Sequence, residues 1–208
     1  MRLRSGEKLL FIGDSITACM RETVEPPLGA GYVQFAHMLL ATRYPELEVE
    51  LINRGVDGET ILDLEQRWDR DVIAEKPDWL FVMIGTNDVI YRYLEGMGSR
   101  AIDDETYERA YDRLIERTRA ALECRIVLLE PAPLQKEPDA QSHIPMRQLL
   151  QRVRSVGERH GLDVVDVFER AHRTFARGPG KRWFVDFPHP TIAGQTVLAM
   201  AVLDYLGW

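Results

Sequence analysis

The segment Lys8-Leu9-Leu10-Phe11-Ile12-Gly13-Asp14-Ser15-Ile16-Thr17 decides how the chain is organised. Four apolar residues run into Gly-Asp-Ser. A short apolar run closed by a turn residue has the pattern of a fully buried strand in a parallel sheet. Gly13 can take backbone angles that other residues avoid, so the chain can turn sharply there. That turn presents Asp14 and Ser15 at the strand's carboxyl end, the edge where open α/β sheets bind ligands. A serine at that edge is a candidate nucleophile, provided that the rest of the chain supplies its partners.

Outward from this strand (8–13), apolar runs and helical periodicities alternate. A loop rich in Pro and Gly (17–31) leads to a helix over 32–44. The alternating run 47–52 predicts an edge or near-edge strand with one wet side. A turn cluster (53–58) precedes a helix from Thr60, a candidate cap, to about residue 75. Residues 79–84, the most apolar run, predict a central strand that stops at Gly85-Thr86-Asn87-Asp88. A second long loop (89–103), containing Tyr91, Arg92, Tyr93 and Met97, leads to a helix ending near 122 and a strand over 125–129. A third long loop (130–144), with Pro138 and His143, leads to a helix over 146–160. Then follow a strand over 162–167, a short helix over 168–177, the Asp186–Pro190 segment and a helix over 191–206. Five alternations predict a three-layer α/β/α architecture around a five-stranded parallel sheet. The longest loops follow strands one, three and four, and cluster at the carboxyl edge, where loops of that length are usually functional.

The chain has 208 residues, 45% of them hydrophobic, which favours one domain (1–208) with a core that needs neither disulfide nor metal. The formal net charge of −7 argues against nucleic acid as a partner. Cys19 and Cys124 form no disulfide framework and suit free thiols in a reducing compartment. A charged amino terminus meets the first strand with no apolar signal core between them. No apolar run approaches the ~18 residues of a membrane span, so a cytoplasmic protein without membrane association is expected. Whether it is a monomer or a homo-oligomer is left open.

Four short motifs end at or near the carboxyl edge: Gly13-Asp14-Ser15, Asn53-Arg54-Gly55, Gly85-Thr86-Asn87-Asp88 and Asp186-Phe187-Pro188-His189. Each alone is a turn or a surface pair. Together they match what acyl transfer requires. An attacking serine hydroxyl must lose its proton to a histidine within hydrogen-bond reach, and that imidazole needs a carboxylate to fix its tautomer. Asp186 and His189 can share one loop. The tetrahedral oxyanion needs donors, and the Ser15 and Gly55 backbone N–H groups with the Asn87 side-chain amide can supply three.

In order and rough spacing these motifs resemble the four blocks of the SGNH (GDSL-type) hydrolases, over nearly the whole chain. The resemblance implies a flavodoxin-like sheet and hydrolysis of esters or thioesters without metal or cofactor. It makes Ser15 the nucleophile, His189 the general base and Asp186 its partner, with Ser15, Gly55 and Asn87 forming the oxyanion hole. Ile16 stands where the family's older name has leucine. No Gly-x-Ser-x-Gly elbow occurs, which disfavours the α/β-hydrolase fold. Residues 5–17, 44–47 and 71–79 look like intracellular bacterial acetyl-xylan esterases of this family. The expected substrate is a small-molecule ester, an acetylated sugar. The alternative on the same machinery is a lysophospholipase or acyl-thioesterase with a long apolar cleft, which the loops do not advertise.

Tyr91 and Arg92 follow Asn87 closely and suit a sugar or an acyl chain. His143, in the third long loop, is a further candidate to reach the cleft. Cys19, four residues after Ser15, lacks a paired histidine motif and is a weak rival nucleophile. No spacing among the five histidines suggests a zinc site.

Overall fold

A computed structural model of the chain describes residues 1–93, 98–137 and 140–208, with Tyr93 described by its backbone alone. Met97 and Pro138 therefore lie outside the described residues. Five strands form one parallel sheet: β1 (Lys8–Gly13), β2 (Glu50–Gly55), β3 (Trp79–Met83), β4 (Arg125–Leu129) and β5 (Asp163–Val165), in the order β2-β1-β3-β4-β5. The sheet thus matches the predicted five-stranded parallel architecture, and β2 is an edge strand as its alternation implies.

Two-fold alternation splits the core across the sheet. Leu9 and Phe11 of β1, with Trp79, Phe81 and Met83 of β3, face one layer; Leu10 and Ile12, with Leu80 and Val82, face the other. The first layer is built by α2 (Tyr32–Arg43), α7 (Val167–Arg177) and α8 (Ile192–Leu206). The second is built by α3 (Ile61–Trp68), α5 (Asp104–Ala121) and α6 (His143–His160). Phe11 and Phe81 stack on neighbouring strands with centroids 4.7 Å apart. Such pairing adds to the ~25 cal/mol per Å² expected from burying apolar area. Among the described residues no helix is long and apolar enough to cross a membrane.

Several boundaries differ from the expectation, each for a local reason; the fifth strand, for one, covers 163–165 rather than 162–167 because Asp166 caps α7. The second strand occupies 50–55 rather than 47–52, because Asn53, Arg54 and Gly55 pair in register with Phe11, Ile12 and Gly13. Residues 86–93, expected to be mostly loop, form helix α4 (Thr86–Tyr93). Val89, Ile90 and Tyr91 bury against the second layer, so tertiary packing overrides the polar look of that stretch. The helix from Thr60 keeps its capping box with Asp63 but turns into a π-helix at Asp69–Ile73. The helix after the third loop starts at His143, so that loop is shorter than expected.

His143 and His172 are buried together beside Phe168, with their ring centroids 4.6 Å apart. Among the described residues, neither ring nitrogen of His172 has a hydrogen-bond partner. Burial, then the nearby His143 and Arg147, pushes the His172 pKa down to about 4, against the pull of Glu169. In the unfolded chain it titrates near 6.5, so between about pH 6.5 and 4 the unfolded state binds a proton that the folded state refuses. Stability lost in that window amounts to about 3 kcal/mol at most. His172→Phe is expected to gain on the wild type by that amount as pH falls from 7 to 4, measured by urea denaturation. A pH-independent difference would show that His172 does not titrate there.

Candidate active site

The sheet brings the site together at one level. Gly13 of β1 lies between Gly55 of β2 and Met83 of β3 in the parallel register. The segments carrying Ser15, Gly55 and Asn87 therefore leave three adjacent strands side by side, at the reversal of strand order where ligands bind in such sheets. Two glycines permit the crowding. A Cβ on Gly13 would lie 2.1 Å from the Met83 carbonyl oxygen, and one on Gly55 would lie 2.2 Å from the Ala18 nitrogen. Gly13 is thus required for close approach, not for the unusual backbone angle expected from the turn.

Ser15 opens the four-residue helix α1 (Ser15–Ala18), which is capped by Asp14 through its carboxylate and the Ile16 N–H at 3.0 Å. Asp14 therefore has a definite task, to fix the turn that presents Ser15. The Ser15 hydroxyl lies 3.0 Å from His189 Nε2, and His189 Nδ1 lies 2.6 Å from Asp186 Oδ1. An anionic carboxylate accepts only, so Nδ1 carries the proton and Nε2 is left to accept from Ser15. The loop holds this geometry by itself: the His189 N–H donates to the Asp186 carbonyl and the Val185 N–H to the His189 carbonyl, both at 2.9 Å. The Asp186 side chain is 64% exposed, so water screens its charge and its contribution lies chiefly in orienting the imidazole.

Asn87, in the first turn of α4, is 8% exposed and donates one amide N–H to the Glu59 carbonyl at 2.9 Å. That bond fixes the amide and leaves the second N–H of the same nitrogen for a ligand. The Ser15 N–H stands at the first helical position, where no preceding carbonyl of the helix can take it. The Gly55 N–H differs: it donates to Asn53 Oδ1 at 2.9 Å. Asn53 in turn donates to the Thr17 carbonyl at 2.7 Å and to the Leu28 carbonyl at 2.8 Å. An oxyanion would have to share the Gly55 donor with Asn53, which makes it the weakest of the three expected.

Two carboxylates are buried beneath these groups. Burial raises Asp14 to about 6, while hydrogen bonds from Ile16 and Thr86 and the nearby His189 hold it down. Burial likewise raises Asp88 to about 7, and the charges of Asp14 and Asp63 add to the rise. Asp88 caps α3 from the neighbouring block by accepting the Ile61 N–H at 3.2 Å. Burial also raises the Cys19 thiol, which leaves less thiolate and weakens it further as a rival to Ser15.

The three residues expected to touch substrate have other partners. Tyr91 is 8% exposed and donates its hydroxyl to the Gly58 carbonyl at 2.9 Å, with the Arg100 guanidinium over its ring. Arg92 reaches Asp104 at the start of α5, at 2.5 Å. His143 is 1% exposed and accepts the Gln135 N–H through Nε2 at 3.2 Å. Through these partners each is tied to a neighbouring loop or helix. Two cavities flank Phe187, which lies between Asp186 and His189 in the chain and is 47% exposed. One, of about 500 Å³, is lined by Lys136, Glu137, Lys181, Arg182 and Asp186 among others. The other, of about 530 Å³, is mainly apolar, with Val89, Ile90, Ile144 and Pro145 in its wall. Leu134 and Phe187 border both. Asp186 and Phe187 belong to a sequence motif and Lys181 and Arg182 to a short basic loop, whereas Leu134, Lys136 and Glu137 carry no signal beyond their place in a long loop.

Known proteins share this arrangement. A model of the GDSL-like lipase/acylhydrolase family matches residues 11–197. An acetylxylan esterase of Geobacillus stearothermophilus is 36% identical over 217 residues, covering 100% of this chain and 97% of the relative. Its crystal structure matches with a TM-score of 0.89. Catalytic mutants of that enzyme, with a serine, an aspartate or a histidine changed to alanine, match with TM-scores of 0.89, 0.88 and 0.89. A hydrolase from the metagenome of Lake Arreo, Spain, is 34% identical with a TM-score of 0.90, covering 100% of this chain and 98% of its own. A 40-residue stretch, 19% of this chain, is 42% identical to 16% of an uncharacterized lipoprotein of Bacillus subtilis. The full-length likeness in sequence and fold makes the chain a carboxylic ester hydrolase, and it belongs to the GDSL-like lipase/acylhydrolase family.

Proposed function

We propose that the chain is one catalytic domain that removes acetyl groups from carbohydrate, with xylo-oligosaccharides as substrate, through an acyl-enzyme on Ser15. The observation that carries this reading is the continuous relay from Ser15 Oγ to His189 Nε2 (3.0 Å) and from His189 Nδ1 to Asp186 (2.6 Å). In the relative, too, the catalytic aspartate and histidine lie three positions apart, and that enzyme is an acetylxylan esterase.

The steps follow from the relay. Ser15 Oγ bonds to the ester carbonyl carbon as its proton passes to His189 Nε2. The carbonyl oxygen becomes the oxyanion, held by the Ser15 N–H, the free Asn87 N–H and a share of the Gly55 N–H. Collapse expels the sugar oxygen, which takes the proton from His189. Water then attacks the acyl-serine, His189 takes its proton, and the acid leaves as Ser15 Oγ is reprotonated. The cavity lined by Lys136, Lys181 and Arg182 beside Asp186 offers donors to sugar hydroxyls. The two free cysteines suit a reducing, cytoplasmic setting, where the substrate would be an imported oligosaccharide.

A second reading has an observation in its favour. The apolar cavity of about 530 Å³ beside Phe187 offers room for an acyl chain longer than acetyl. One series separates the two: p-nitrophenyl esters of two to eight carbons, run beside peracetylated xylose. The carbohydrate reading predicts the highest kcat/KM for acetate and release of acetate from the sugar. A maximum at six to eight carbons, with the sugar untouched, would establish the lipid-like substrate instead.

A further inference from the structure

One buried side chain ties the ends of β1 and β2 to the segment that holds Asn87. Arg67, on α3, is 7% exposed, and its guanidinium makes four hydrogen bonds. Nη1 donates to the Arg54 carbonyl at 2.8 Å and to Asp71 Oδ2 at 2.7 Å. Nη2 donates to the Gly13 carbonyl at 3.3 Å and meets Glu59 Oε2 at 2.6 Å. Nε donates to the same Glu59 oxygen at 2.6 Å.

These acceptors coincide with the site's parts. The Gly13 carbonyl closes β1 two residues before Ser15. The Arg54 carbonyl belongs to the peptide that bears the Gly55 N–H. Glu59, gripped by its carboxylate, presents the backbone carbonyl that holds the Asn87 amide. The Gly13 carbonyl already accepts the Val56 N–H at 3.0 Å, so the guanidinium is a second donor on that oxygen and ties α3 to the strand end. A planar fork with five donors can reach two carbonyls and two carboxylates at fixed spacing. An ammonium, with three donors on one atom, cannot.

We propose that Arg67 is a positioning residue for the oxyanion donors, acting chiefly by seating Glu59 and through it the amide of Asn87. This rests on the proposed role of Asn87. It assigns the arginine no contact with substrate and no proton transfer.

A double-mutant cycle in the full chain tests it. Arg67→Lys keeps the charge and loses the fork. It is expected to lower kcat on p-nitrophenyl acetate about tenfold with KM within twofold, because oxyanion donors act in the transition state. Combined with Asn87→Ala, the same change is expected to lower kcat less than twofold, since the donor it places is already gone. Equal losses in both backgrounds, or a raised KM with kcat unchanged, would overturn the proposal. Activity is taken per folded molecule from the denaturation curve. If Arg67→Lys does not fold, Glu59→Gln replaces it in the cycle with the same expected non-additivity. Ser15→Ala, run alongside, reports on the nucleophile alone, so loss of that assignment reads differently from loss of this one.

Discussion

Ser15→Ala is expected to lower turnover of p-nitrophenyl acetate by roughly 10⁴–10⁶-fold, the range typical of removing a nucleophile from a serine–histidine unit. The fold should survive. The Ser15 hydroxyl has one side-chain partner, His189 at 3.0 Å, whereas the turn that presents it is held by Asp14 and the Ile16 N–H. The unfolding midpoint should therefore stay close to the wild type while the acyl-enzyme, followed by intact-mass measurement, disappears. Cys19 offers no rescue, because burial keeps its thiol protonated. Adding His189→Ala to Ser15→Ala should cost little more, because the two act as one unit. Turnover near the wild-type rate would remove Ser15 from the mechanism.

Much of this site is legible from residue type and spacing because its parts are short and local. Gly13-Asp14-Ser15 needs only a strand and a turn, and Asp186 and His189 need only one loop. The strand pattern, two-fold alternation in 47–52 and unbroken apolar character in 79–84, points to an edge strand and a central one, although the edge strand itself runs three residues later, over 50–55. What is not legible depends on tertiary contacts. Tyr91 and Arg92 look like cleft residues beside Asn87, but α4 forms and turns them toward Gly58 and Asp104. His143 looks like a loop histidine but is drawn into the second layer beside His172. Asn53 sits in a quoted motif, yet its hold on the Gly55 N–H depends on α1 and Leu28 lying within reach. Arg67 is one arginine among many on amphipathic helices, and nothing in its neighbours in sequence shows that it faces the ends of β1 and β2. Long-range hydrogen bonding of this kind has no period and no motif.

Asn87→Ala is expected to lower kcat ~10²–10³-fold, about 2.7–4 kcal/mol of transition-state stabilisation, with KM little changed. The asymmetry follows from geometry. The amide is fixed by the Glu59 carbonyl at 2.9 Å, so its remaining N–H is aimed before substrate arrives and gains strength only as the carbonyl oxygen acquires charge. Truncation also leaves the Glu59 carbonyl without that donor, a stability cost of about 1 kcal/mol that alone cannot alter kcat per folded molecule. Asn87→Asp separates charge from shape. A carboxylate at this position accepts only and would repel the oxyanion, so its kcat should fall below that of the alanine variant. Asp14 and Asp88, raised to about 6 and about 7, lie in the same buried floor and already limit the negative charge it carries near neutral pH. An anion at 87 would act against that arrangement. The expected order of kcat is therefore Asn, Ala, Asp. A change of less than twofold in the alanine variant would remove Asn87 from the oxyanion hole and leave the Ser15 N–H as its principal donor.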